Sequence, residues 1–229
     1  MMDKRRQSGL SLIELMIGMV LGLIVIAAVI NVYSGSSRSS KFTTGLQTMQ
    51  ENGRYGMSVL QRGFRLAGYS PTSQIDTIDL AKSSDTTITV TTTSAYDCNG
   101  QSTATTGGIA ENTYALDGAN QQLVCTGNVS PVAMPVVEGV EGFRVLYGVD
   151  TDNDSETEEP QQYVPFGSVS DASEIAALRF ALLVNSGTAI RSRVRNETHV
   201  LLDQEVSTND RFAREVFMTT VKLRNRRSN

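Results

Sequence analysis

The chain is poor in the residues that most often carry catalysis. Its 229 residues include one histidine and two cysteines. Cys98 and Cys125 lie far apart in sequence, and His199 cannot complete a zinc site with them, because such sites need four ligands at short spacings. No G-x-S-x-G, P-loop or H-E-x-x-H string occurs. Positive charge is also scarce. The net charge of -4 argues against a nucleic-acid partner held by bulk electrostatics. There is only one long hydrophobic run, which excludes a polytopic membrane protein. The remainder is rich in Thr, Ser, Asn and Gly. That composition fits neither a collagen-like nor a coiled-coil fibre, and two cysteines do not make a disulfide-dense miniprotein.

The one hydrophobic run is informative. A leader with Lys4, Arg5 and Arg6 precedes Leu10–Ile30, 21 mainly apolar residues. As a helix this run is about 31 Å long, one bilayer core. It exceeds the 7–15-residue core of a secretory signal, and no clear small-x-small site ends it, although Ala27 and Ala28 come close. The basic flank predicts a cytoplasmic N-terminus, with everything after Ile30 outside. In a Gram-negative cell that is the periplasm, where a Cys98–Cys125 bridge is expected. Free buried thiols are the alternative. Closing a loop of that length stabilises by about 3–4 kcal/mol in the chain-entropy model.

Glu14 stands out inside the run. An acid there costs roughly 2.5–3.5 kcal/mol on insertion scales. Either it snorkels to the headgroups or it has a partner. The string Gly9-Leu10-Ser11-Leu12-Ile13-Glu14 follows a basic leader and opens a long apolar helix. It resembles the type IV prepilin signal. The resemblance implies cleavage by a prepilin peptidase after Gly9 and methylation of the new N-terminus at Leu10, where most of that family has Phe. Glu14 then falls where the family has its acid. Its implied role is subunit assembly, by neutralising the new amine of a neighbour in a low-dielectric setting. Loss of the leader removes a net +2 and takes the chain from -4 to about -6.

The helical pattern continues past the run. Residues 34–68 lack proline, and Phe42, Leu46, Met49, Gly53, Met57, Leu60, Phe64 and Ala67 form a stripe in steps of three and four. This predicts one helix from Leu10 to about Ala67, ~85 Å if unbroken. Gly68 and Pro71 end it. Gly18 and Gly22 have the G-x-x-x-G spacing that permits close helix approach. The same two glycines are equally read as tolerated small residues.

Strand signals follow. They cover Ile75–Leu80, Thr86–Thr93, a hairpin of Tyr114–Leu116 with Gln122–Cys125, Gly142–Val149, Tyr163–Pro165, Leu178–Val184 and Phe217–Leu223. Residues 94–113 read as loop, and Ala172–Leu178 as a short turn of helix. The predicted fold is α+β, a type IV pilin fold with a long helix packed on a β-rich head. The expected organisation is 1–9 leader, 10–33 membrane and filament-core helix, 34–68 amphipathic continuation and 69–229 periplasmic head.

The order of elements resembles the PilW family of minor pilins and the related J-type pseudopilins of type II secretion. The likeness rests on the prepilin signal, Gln61–Tyr69, the V-E-G-V-E-G-F-R-V-x-Y-G segment, Leu182–Ser186 and the C-terminal T-T-V-x-L-R-N-R. It implies a structural subunit and no enzyme. Implied partners are other minor pilins, the major pilin, the prepilin peptidase, the inner-membrane assembly platform and a tip adhesin. The implied location is the inner membrane, then the pilus and cell surface. Alternatives are a J-type pseudopilin, a pilus-carried binding or adhesion module, and a membrane-anchored enzyme.

Asp150-x-Asp152-x-Asp154 matches the first ligand positions of an EF-hand, but Ser155 replaces the glycine and Gln161 the bidentate acid. The reading is a solvated acidic turn, with a looser calcium site as the alternative. No other cofactor is expected. His199 has Asp203 four residues on and reads as a surface or edge histidine. The basic tail from Arg224 reads as a solvated end.

Overall fold

The computed structural model describes Gly9, residues 11–150 and residues 159–226. Two compact units are present, Met1–Thr44 and Gly45–Asn229. One helix, α1 (Leu12–Leu66), carries residues of both. In the first unit its apolar side chains are exposed, from Leu12 at 78% to Tyr33 at 74%. Phe42 is also exposed, so the buried stripe starts later than the periodicity predicts. It begins at Gly45 and runs through Met49, Gly53, Gly56, Met57, Leu60 and Phe64.

The second unit is antiparallel throughout. One sheet has the order β1-β2-β3-β4: β1 (Thr87–Thr93), β2 (Ile109–Asp117), β3 (Gln122–Gly127) and β4 (Met134–Glu138). The other has the order β10-β7-β5-β6: β5 (Val140–Val149), β6 (Gln162–Val164), β7 (Ile175–Asn185) and β10 (Arg214–Lys222). A separate hairpin joins β8 (Arg195–Leu201) to β9 (Gln204–Asp210). The architecture is α+β, a long N-terminal helix with a β-rich globular part, and matches the predicted pilin fold.

Glycines let the helix settle close to the sheets. A Cβ on Gly53 would lie 2.2 Å from the Phe217 ring of β10. One on Gly56 would meet Leu182 of β7 at 3.0 Å and Val137 of β4 at 3.1 Å. Further along, Phe64 is fully buried and sits edge-on to two rings, Phe180 of β7 at 4.9 Å and Tyr114 of β2 at 6.0 Å. One side chain thus ties the helix to both sheets.

The helix ends at Gly68, whose φ of +78° suits a residue without a side chain. Its N–H donates to Thr91 O at 2.8 Å. Asn225 supplies the last cap, its Nδ2 donating to Ala67 O at 3.2 Å and Arg65 O at 3.3 Å. These carbonyls lack partners within the helix.

Several predicted elements differ. Ile75–Leu80 makes only one bridge, Ile78 with Val90. Asp79 instead caps a short 3-10 turn, Leu80–Lys82, by accepting from Ala81 N at 3.0 Å. That local bond competes with a strand ladder. Residues 109–113, read as loop, form the first half of β2, where Ile109 pairs with Thr93. Of Ala172–Leu178 only Ala172–Glu174 is helical; β7 starts at Ile175.

The sequence pattern predicts neither the β8–β9 hairpin nor β4. The hairpin turns through Leu202-Asp203, with Leu202 at φ +60°. Such a turn normally calls for Asn-Gly. Here packing holds it. Leu202 rests on the cluster of Ala181, Leu183 and Leu201. Asp203 accepts a two-bond fork from Arg144 of β5, Nε at 2.7 Å and Nη2 at 2.6 Å.

Candidate functional site

The first turn of α1 holds Glu14. Glu14 N–H donates to Ser11 O at 3.1 Å, and Leu15 N–H to the same carbonyl at 3.2 Å. Glu14 is exposed and stands among exposed Leu12, Ile13, Leu15 and Met16. The most apolar 18-residue window of the helix has a mean hydropathy of 2.8, with none of it buried. Gly18 and Gly22 face open space, with no atom within 4 Å of an added Cβ. A surface of this kind needs lipid or other helices around it. Gly9 is exposed just before the helix; Leu10 and the leader lie outside the described residues.

Cys98 and Cys125 are bonded, with Cα atoms 6.3 Å apart. Cys125 sits on β3 opposite Tyr114 of β2. Cys98 follows β1, and its N–H donates to Asn112 Oδ1 at 2.8 Å. The bridge therefore pins the loop after β1 to the far side of β2. Asp97 shapes the same loop, its Oδ1 accepting from Asn99 N and Gln101 N at 2.9 Å each.

Of the three aspartates in the acidic turn only Asp150 is described, since Asp152 and Asp154 lie outside the described residues. Asp150 is buried at the end of β5. Its Oδ2 accepts from Arg226 Nη2 at 2.6 Å, and its Oδ1 from Gln161 Nε2 at 3.2 Å. A guanidinium already occupies one face of this carboxylate, and Arg226 is thereby more than a solvated end. No cluster of three metal-ligating side chains occurs among the described residues.

His199 lies on β8 with its side chain largely buried, 13% exposed. Its Nε2 has no hydrogen-bond partner among the described residues, and Glu197 Oε2 stands 3.9 Å away. Burial holds its pKa below the usual histidine value. Asp203, the acid four residues on, belongs to Arg144 instead.

Two charged networks escaped the sequence reading, because their members come from distant strands. Arg214 of β10 is nearly buried and forks onto Glu141 and Asp210, with its shortest contacts at 2.6 Å to each. Arg144 joins Asp203 and Asp85, the latter at 2.9 Å. Hydrogen bonds from these guanidinium groups hold the Asp210 and Asp203 carboxyls below the ordinary range. A cleft of tyrosines was missed for the same reason. Tyr114 lies on its floor, where burial pushes the phenol up to about 12.

The described residues form an exposed apolar helix, an acid near its start and a cross-linked β-rich unit.

Two family models match the chain. Residues 108–225 match the family model described as Type IV Pilus-assembly protein W. Residues 4–30 match the prokaryotic N-terminal methylation motif. Among solved structures, a type IV-like pilin from Thermus thermophilus is similar at 18% identity and a TM-score of 0.49, over 79% of this chain and 98% of that one. No curated protein matches. The chain belongs to the PilW family of type IV pilus-assembly proteins, and opens with a prepilin methylation motif.

Proposed function

We propose that this protein is a minor pilin: a prepilin peptidase cuts it after Gly9, Leu10 is methylated, and it helps to start pilus assembly at or near the filament tip. The observation that carries the reading is the methylation motif running into an exposed apolar helix with Glu14 in its first turn. In the inner membrane that helix is solvated by lipid, with the β-rich part in the periplasm. In the filament other pilin helices replace the lipid, and Glu14 meets the new amine of a neighbour. Partners are the other minor pilins, the major pilin, the assembly platform and a tip adhesin. The chain performs no chemistry; the peptidase and the assembly ATPase do.

Two experiments test this. Gly9→Ala is expected to leave an uncut precursor. A mutant that is processed and functions like wild type overturns the prepilin reading. Deletion, followed by electron microscopy and a secretion assay, separates the machines. Loss of pili with secretion intact supports the minor pilin; the reverse outcome selects a type II secretion pseudopilin.

A further inference from the structure

Four of the seven tyrosines line one cleft of about 440 Å³ in the second unit. Tyr55 comes from α1, Tyr69 from just after it, Tyr96 from the loop after β1, and Tyr114 from β2. The first three are exposed, at 57%, 47% and 62%. Rings left this open in one place are a costly surface unless something covers them.

The floor of the cleft carries the second observation. Tyr114 is only 4% exposed, and among the described residues its hydroxyl has no hydrogen-bond partner. The ring is packed in, and the hydroxyl at its end is left to pair with what enters the cleft. The hydroxyl lies beside the bare Cα of Gly63, also in the cleft wall, where an added Cβ would approach it to 2.8 Å. The glycine thus leaves the O–H open to the cleft. Arg62 stands on the same wall, exposed and without a partner among the described residues.

From this we infer that the cleft binds a pyranose sugar ring, the end unit of a glycan. The C–H faces of a sugar stack on exposed tyrosine rings. Its hydroxyls can satisfy the Tyr114 O–H, and a hydroxyl or carboxylate substituent can accept from Arg62. The volume lies in the range of small-ligand pockets. An aliphatic knob from a protein would leave the Tyr114 hydroxyl unpaired. Single-stranded nucleic acid needs a basic track for its phosphates, and this wall offers Arg62 on a chain of net charge -4. The inference concerns the second unit alone and does not depend on filament assembly.

The test uses the full chain in a sugar-free zwitterionic detergent. The protein has no tryptophan, so its emission comes from tyrosines, four of the seven in the cleft. Maltotriose, trigalacturonate and oligothymidylate are titrated in turn. Saturable quenching by either sugar, weakened about tenfold in Tyr96→Ala and Tyr114→Phe, is the expected result. A preference for trigalacturonate that vanishes in Arg62→Gln assigns the guanidinium to the carboxylate. Thermal melts check that each variant folds. Tyr69→Ala, at an exposed ring, keeps the test decisive if the floor variant does not. The inference is overturned if neither sugar saturates, if the tyrosine variants bind as wild type does, or if only oligothymidylate binds.

Discussion

Replacing Gly53 by alanine tests whether the helix rests on the sheet as closely as described. The new Cβ would sit 2.2, 2.4 and 2.5 Å from Cε2, Cζ and Cδ2 of Phe217. Ordinary contact needs more than 3.4 Å, so ring or helix must shift by roughly 1 Å. Phe217 packs against the main core, which limits where the ring can go. Overpacking of this kind costs about 1–3 kcal/mol. Alanine offsets about 1 kcal/mol through its better helix propensity. Since three ring atoms clash at once, the upper half of the overpacking range applies. The net loss is then about 1–2 kcal/mol. For a unit of this size that lowers the melting midpoint by roughly 2–8 °C. Circular dichroism melts of the full chain in detergent measure it. Adding Phe217→Leu should recover part of the loss, a coupling that only touching residues show. Gly18→Ala, with open space around it, should leave the midpoint of the second unit unchanged. A rise in the midpoint of Gly53→Ala would refute the close approach, because the propensity gain would then act alone.

Other outcomes follow from the same structure. Changing both Cys98 and Cys125 to serine should cost about 3–4 kcal/mol, read as a lower chemical-denaturation midpoint under oxidising conditions. Lowering the pH should destabilise the fold in two stages. The first concerns His199, whose folded pKa lies below its unfolded value of about 6.5. The unfolded chain then binds a proton first, so stability falls as pH drops below about 6.5, and His199→Gln should abolish that part. The second concerns Asp203 and Asp210, also depressed, whose contributions hold above about pH 4 and fade as pH falls further. Melts across pH 3–8 distinguish the stages. Calcium should leave the melting midpoint unchanged, because Arg226 already pairs with Asp150. A calcium-dependent rise lost in Asp152→Ala would instead establish a site there.

What could be read from sequence was what repeats locally. The stripe from Met49 to Phe64 has helical spacing, and β5, β7 and β10 alternate or run apolar, so their positions followed from periodicity alone. β8 and β9 are polar on the outer face and turn through Leu202-Asp203, which carries none of the usual turn residues. Their pairing depends on Arg144 and on the cluster under Leu202, both fixed by other strands. Gly53 was legible as a member of the stripe, but its close contact with Phe217 depends on a residue far along the chain. The motif at Gly9–Glu14 was readable because its residues are consecutive. The tyrosine cleft was not, since its members only meet once Gly68 turns the chain back.

The cap on α1 also sets an order of events. Asn225 closes the carbonyls at Ala67 and Arg65, and Leu223 N donates to Ala176 O at 2.8 Å. β10 is the edge partner of β7 and lies against Gly53. The helix end and the β7 edge therefore stay open until nearly the whole length of the second unit has been synthesised. The apolar helix is made first, long before the segment that caps it. A ribosome stalled shortly before β10 would hold a chain whose helix end is uncapped and whose β7 lacks its edge partner.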